Sequence, residues 1–159
     1  MTVKIDVGLS VEERRAVAGA LSQVLGDTYA LYLKTHGYHW NVRGPTFQSL
    51  HLLFEGQYQE EWAALDVIAE RIRSVGELVP QGYAAFGNLT TIRDGDSAKN
   101  SDAMVAELMD DNQTVLATIR DAFRVAESAG DEATMDLLNA RTAAHAKHAW
   151  MLRATLGSE

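Results

Sequence analysis

The chain has 159 residues, 22 acidic against 14 basic side chains, a formal net charge of −8 and no cysteine. That length makes one domain with a real core. The acidic balance disfavours non-specific attachment to nucleic acid or an anionic membrane, and without cysteine there is no disulfide or thiolate chemistry, as suits a reducing cytoplasm. The opening MTVKIDVGL lacks the apolar stretch of a signal peptide, and no apolar run approaches membrane-spanning length. A soluble, cytoplasmic protein without membrane attachment is expected.

Ser10-Val11-Glu12-Glu13 reads as a capping box, in which Ser10 accepts from the third amide of a helix and Glu13 reaches back. Apolar residues then recur at Val17, Leu21, Val24, Leu25, Leu31 and Tyr32, which predicts a helix to about Tyr38. Gly44 and Pro45 open a second helix, with proline at its first position, where a missing N–H is no loss. It should run to about Val75, with Gly76 just past its end. From Glu77 to Asn100 the periodicity dissolves among Pro80, Gly82, Gly87 and Gly95, leaving room for one short helix over Tyr83 to Phe86. A third long helix is predicted from about Ser101 to Ala129, stopped by Gly130, and a fourth, capped by Asp131, to about Leu156. Four long helices with one long crossover between the second and third predict an all-α, ferritin-like four-helix bundle, one domain over 1–159, with a short extra helix in the crossover.

The chemistry concentrates between His36 and Glu70, which hold three of the five histidines among acids. His39 and His51 flank the turn Arg43-Gly44-Pro45, and Asp66 and Glu70 follow at i, i+4 spacing, on one helix face. Two imidazoles and two carboxylates are a ligand set for iron, zinc or manganese. Yet His51 and Asp66 share one predicted helix, and fifteen residues rise about 22 Å while turning back to within about 60° of the same direction. They face nearly the same way and cannot touch one ion. A shared site needs a second, antiparallel copy about a two-fold axis; otherwise there are two unrelated half-sites, or none.

The run Thr35-His36-Gly37-Tyr38-His39-Trp40-Asn41-Val42-Arg43-Gly44-Pro45, then Leu50-His51 with Glu55, then Asp66-x-x-Ala69-Glu70-Arg71, resembles the Dps family of miniferritins. The likeness continues to Lys147-His148-Ala149-Trp150-Met151. It implies a ferroxidase centre between two-fold-related subunits, with His39 and His51 from one chain, Asp66 and Glu70 from the other, and Glu55 as a further acid. It also implies two-fold dimers assembled into a hollow dodecamer that oxidises Fe(II), by preference with hydrogen peroxide, and stores the ferric mineral. The short helix of the crossover would lie at the two-fold interface. Zinc can occupy the same ligands, which gives a rival reading as a zinc-binding shell without redox turnover.

Around the join of the third and fourth helices stand Glu127, Asp131, Glu132 and Asp136. Acids there are favoured by the helix dipole alone; the resemblance adds that this region lines pores at a three-fold axis, where they would draw in Fe(II). Some Dps relatives compact DNA through lysine-rich tails, a second rival reading. Here the segment before Ser10 has a single lysine, Lys4, beside Asp6, so DNA binding is not expected.

Three residues before the histidines stand Leu33, His36, Gln48, Thr142 and His145, never glutamate. The Glu-x-x-His pairs of an intrachain ferritin centre are therefore not expected. His36 reads as a packed or solvent-facing side chain, and His145 and His148, with no acid one turn away, as structural or interface residues. Trp40, Trp62 and Trp150 read as core or interface; Trp40, beside a presumed ligand, could also report on the metal or intercept radicals.

Overall fold

Ser10 begins the first helix, α1 (Val11–Asn41): its hydroxyl accepts from Glu13 N (3.2 Å), and its own N–H donates to the Glu13 carboxylate (2.8 Å). The capping box forms as the sequence predicts. Residues 5–157 are described by the structure, a computed structural model; Lys4 lies outside them. α1 runs three residues beyond the predicted Tyr38, because nothing breaks it before the turn at Gly44, where φ is +111° and a side chain would be strained. This carries His39 onto the last turn of α1.

The second helix, α2 (Phe47–Ser74), starts two residues later than expected. Pro45 sits in the turn ahead of it, where Phe47 N bonds Gly44 O at 3.0 Å, and Phe47 rather than proline takes the first helical position, with Thr46 as the cap. Its end matches the expectation: Gly76 has φ +97°, its N–H donates to Arg73 O and that of Glu77 to Ile72 O, the paired bonds of a Schellman motif. A short α3 (Tyr83–Leu89), α4 (Ser101–Ala129, capped by Asn100) and α5 (Glu132–Thr155) complete the chain. The architecture is an all-α four-helix bundle with the extra helix in its crossover. Among the described residues no helix is long and apolar enough to cross a membrane.

α1 and α2 form one antiparallel hairpin, α4 and α5 the other, and α1 packs against α4. Leu21, Leu31, Phe54, Ile68, Ile72, Met104, Leu108, Ile119, Leu138 and Leu152 are completely or almost completely buried between them. The crossover is held by polar groups of α1. Buried Asp27 accepts from the Thr90 hydroxyl (2.9 Å), Thr91 N (3.1 Å) and the Thr118 hydroxyl (2.6 Å), tying α1 to crossover and α4 together. Gly26 lets Leu89 come close, since a Cβ there would stand 2.6 Å from Leu89 Cβ.

α2 meets α5 more thinly, largely through polar contacts. At one end of this seam is Asp131, the cap of α5. Its carboxylate accepts from Thr134 N (3.1 Å), the Thr134 hydroxyl (2.6 Å) and Arg71 Nη2 (2.6 Å). Burial alone would raise its pKa, but Arg71 and Thr134 outweigh it and hold the carboxyl below its usual range. Removing a cap costs about 1 kcal/mol and a charge-assisted bond about 1.5–3 kcal/mol, so Asp131→Ala should lose about 2 kcal/mol or more in denaturant unfolding at pH 7. A carboxylate with a lowered folded pKa stabilises above its unfolded value and ceases to as pH falls through the folded one. The gap between wild type and variant should therefore close below about pH 4.

Candidate metal centre

The tight turn at 42–46 brings the last turn of α1 against the first turn of α2, and with them His39 and His51. The two rings stack at 3.7 Å between centroids, 19° from parallel. His39 Nδ1 lies 2.8 Å from His51 O, and His51 Nδ1 lies 2.8 Å from His39 O. A carbonyl can only accept, so each Nδ1 carries the proton and each Nε2 keeps its lone pair. His39 O is one of the carbonyls a helix end leaves without an intrahelical partner, which is why it is available. The reciprocal bonds hold both rings in the tautomer and orientation that a metal ligand needs.

Tyr58 meets this pair edge-on (5.1 Å to His39) and stacks on His36 (3.9 Å, 16°). His36 also lies against Trp40 (4.2 Å), with Nδ1 3.3 Å from the Tyr32 hydroxyl. Burial and the neighbouring His39 lower its pKa. His36 is a packed member of an aromatic cluster.

Asp66 and Glu70 do not join the histidines. Both lie on the exposed face of α2, about 22 Å and more along it from His51. Glu55 is half-buried on the same face, accepting a long bond from Gln59 (3.4 Å). Leu52, Trp62 and Val67 share that face and are each more than half exposed. Spacings of three and four residues from Leu52 through Glu55, Gln59, Trp62 and Asp66 to Glu70 make this one stripe, apolar and acidic together. Among the described residues no three His, Asp or Glu side chains gather to hold a metal ion. One chain offers an imidazole pair near one end of the stripe and a carboxylate pair near the other.

Of the acids around the α4–α5 join, Glu127, Glu132 and Asp136 are exposed. Asp131 is 5% exposed, its oxygens taken by Thr134 and Arg71, so it serves as cap and ion-pair partner.

The sequence reading did not anticipate a polar cluster inside the bundle. Arg141 of α5 forks onto Glu60 of α2 (Nη2–Oε2 3.0 Å) and donates to His145 Nε2 (3.0 Å); His145 Nδ1 donates to Asn112 Oδ1 (2.9 Å). His145 is completely buried, and burial with Arg141 beside it depresses its pKa strongly. The completely buried Glu61 is pushed well up by burial and by Glu60. His148 has acids nearby, Glu60 and Glu61, from α2 rather than from its own helix, whereas His145 lies between Arg141 and Asn112. The signal was present: Leu50, Phe54, Gln57, Glu61, Leu65, Ile68 and Ile72 form the buried stripe of α2, and two of its members are polar.

Fold and site together define a ferritin-like bundle. Residues 18–158 match the family model of the ferritin-like domain. The chain is 37% identical over 153 residues to the uncharacterised low temperature-induced protein all0458 of Nostoc sp., covering 94% of this chain and 85% of that one. It is 36% identical over 143 residues to the DNA protection during starvation protein of Brevibacillus brevis, covering 90% and 96%. The solved Dps protein of Vibrio cholerae O1, described as a member of a broad superfamily of ferritin-like diiron-carboxylate proteins, superposes with a TM-score of 0.91 at 27% identity, over 98% of this chain and 99% of that one. The chain belongs to the Dps family of miniferritins.

Each bond joins one ring to the other residue's backbone carbonyl, which an alanine keeps, so the two bonds are lost separately, at about 1 kcal/mol each, and the stacked rings are what couples the two residues. His39→Ala and His51→Ala should therefore be non-additive by about 0.5–1.5 kcal/mol, the worth of the ring contact, in a double-mutant cycle of metal-free protein. Strict additivity would mean the rings do not stack in solution.

Proposed function

We propose that this protein stores and detoxifies iron, oxidising Fe(II) at centres shared between two copies of the chain and keeping the ferric product inside a closed shell. The carrying observation is the division of one ligand set along an exposed face: an ordered His39–His51 pair near one end of the α2 stripe, Asp66 and Glu70 about a helix-length away. Two antiparallel copies about a two-fold axis would bring each histidine pair to the partner's acids, completing two equivalent sites. The exposed Leu52, Trp62 and Val67 supply an apolar surface for that contact. Family membership supports extending the dimer to a dodecamer, with α3 at the two-fold contact.

At such a centre the Nε2 lone pairs of His39 and His51 bind Fe(II), while Asp66 and Glu70, with Glu55 nearby, supply the hard, charged oxygens that suit Fe(III). The set thus holds both oxidation states. With hydrogen peroxide as oxidant, two Fe(II) ions each give one electron, the O–O bond breaks, and two protons complete two waters. The ferric ions pass to the mineral, and no hydroxyl radical is released. Glu127, Glu132 and Asp136, exposed around the α4–α5 join, are where we place passage of iron through the shell.

Complementation tests the shared centre. His51→Ala and Asp66→Ala proteins should each lose rapid Fe(II) oxidation, followed anaerobically with added peroxide. A co-assembled mixture should regain part of it, because a dimer of one of each keeps one intact site. No recovery, under conditions where wild-type subunits treated alike recover, would exclude the shared geometry.

The name of the Brevibacillus relative favours a second reading, DNA protection by direct binding. A formal charge of −8 per chain opposes it, since DNA affinity comes from neutralising phosphates with clustered lysine and arginine. Plasmid mixed with the assembled protein should show no gel retardation at physiological salt without divalent metal. Retardation there would restore the DNA-binding reading.

A further inference from the structure

The buried stripe of α2 carries Gln57 and Glu61 one turn apart, 2% and 0% exposed. Neither oxygen of Glu61, neither polar atom of the Gln57 amide, nor Nδ1 of His148 has a hydrogen-bond partner among the described residues. The neighbouring Thr35 hydroxyl gives its single proton to Leu31 O at 2.8 Å. An unpartnered polar group in a core is unfavourable. Two of them, Glu61 and His148, stand across from each other, with Gln57 one turn before Glu61, and call for an occupant.

Distance says which kind. His148 Nδ1 stands 3.8 Å from Glu61 Oε1, beyond hydrogen-bond reach. A water bonded to both at about 2.8 Å with a tetrahedral angle would hold them about 4.5 Å apart. A first-row metal ion, with bonds of about 2.0–2.2 Å to imidazole nitrogen and carboxylate oxygen, holds them about 3.4–3.9 Å apart as its angle opens from tetrahedral. The observed spacing falls in the range for two ligands on one ion.

Charge points the same way. Around the cluster Arg141 is paired with Glu60 and Lys34 with Asp111 (2.7 Å), while His145 lies between Arg141 and Asn112. An ionised Glu61 would have no hydrogen-bonded cation among the described residues: His148, its ion-pair partner at 3.8 Å, is out of hydrogen-bond reach, and Arg141 is taken by Glu60. A buried anion in that position is strongly unfavourable unless a cation joins it. Glu60, 37% exposed, offers a way in from solvent, and its Oε2 lies 3.9 Å from the ring's other nitrogen, His148 Nε2.

We infer that Glu61 and His148, with the amide oxygen of Gln57, form a second, intrachain metal site in the bundle core, taking one divalent first-row ion of the zinc or manganese class. The mixed oxygen and nitrogen set, without thiolate, suits these ions. The site lies inside one chain, on the opposite face of α2 from the intersubunit stripe, and works independently of it.

The test uses assembled His39→Ala/His51→Ala protein, in which the intersubunit centre has lost its imidazoles, titrated with Zn²⁺ by calorimetry. One ion per chain should bind, and adding Glu61→Gln should weaken it at least tenfold. Crystals of the wild-type chain soaked in Zn²⁺ should show an anomalous peak at the zinc edge between Glu61 and His148. Because Glu61→Gln could disturb the core, a Glu61→Leu/His148→Leu protein, which replaces the pair with apolar bulk, gives a folded comparison. Absence of the anomalous peak, or zinc binding undiminished in either variant, would overturn the site.

Discussion

The turn between α1 and α2 governs how this molecule is built and what it can do. Gly44 takes a backbone conformation that side-chain-bearing residues avoid, so the chain reverses within a few residues. That sets the last turn of one long helix against the first turn of the next. Each histidine there reaches the other's backbone, and their rings lie parallel in contact. The rings need no metal to be held in place. If this pair binds the ion as proposed, its being ordered in advance means less freedom is lost on binding.

α2 then divides the chemistry between two faces. Its exposed stripe holds Glu55, Asp66 and Glu70 among Leu52, Trp62 and Val67, a combination that is uncomfortable in water and incomplete as a metal site. On the proposed reading both defects have one remedy, a second copy of the same face. Its buried stripe is mostly aliphatic but includes Gln57 and Glu61, and the α2–α5 seam beside it is drawn together by Arg141 with Glu60 and Arg71 with Asp131. A bundle that could have closed that seam with leucine instead places charge there.

Much of the fold could be read from the chain. Ser10 and Glu13, Gly76, Gly130 and Asp131 mark helix ends by local chemistry, and each acts where that chemistry says. The exception was Pro45, which a local rule put at the first helical position; the tight reversal at Gly44 moved it into the turn. The separation of His51 from Asp66 was legible too, since rise per residue is a property of any helix.

The amino-acid sequence by itself determined the helices, their order, the acidic charge and the candidate ligands, because caps, periodicity and residue type act over a few neighbouring positions. Only the tertiary structure decided which groups face one another. It bonded each His39 and His51 ring to the other's carbonyl, turned Asp131 inward onto Arg71, and set Glu60 and Glu61 beside His148 across eighty-odd residues of chain. Those contacts join helices distant along the chain, and their spacing follows from how the helices pack, which no local pattern encodes.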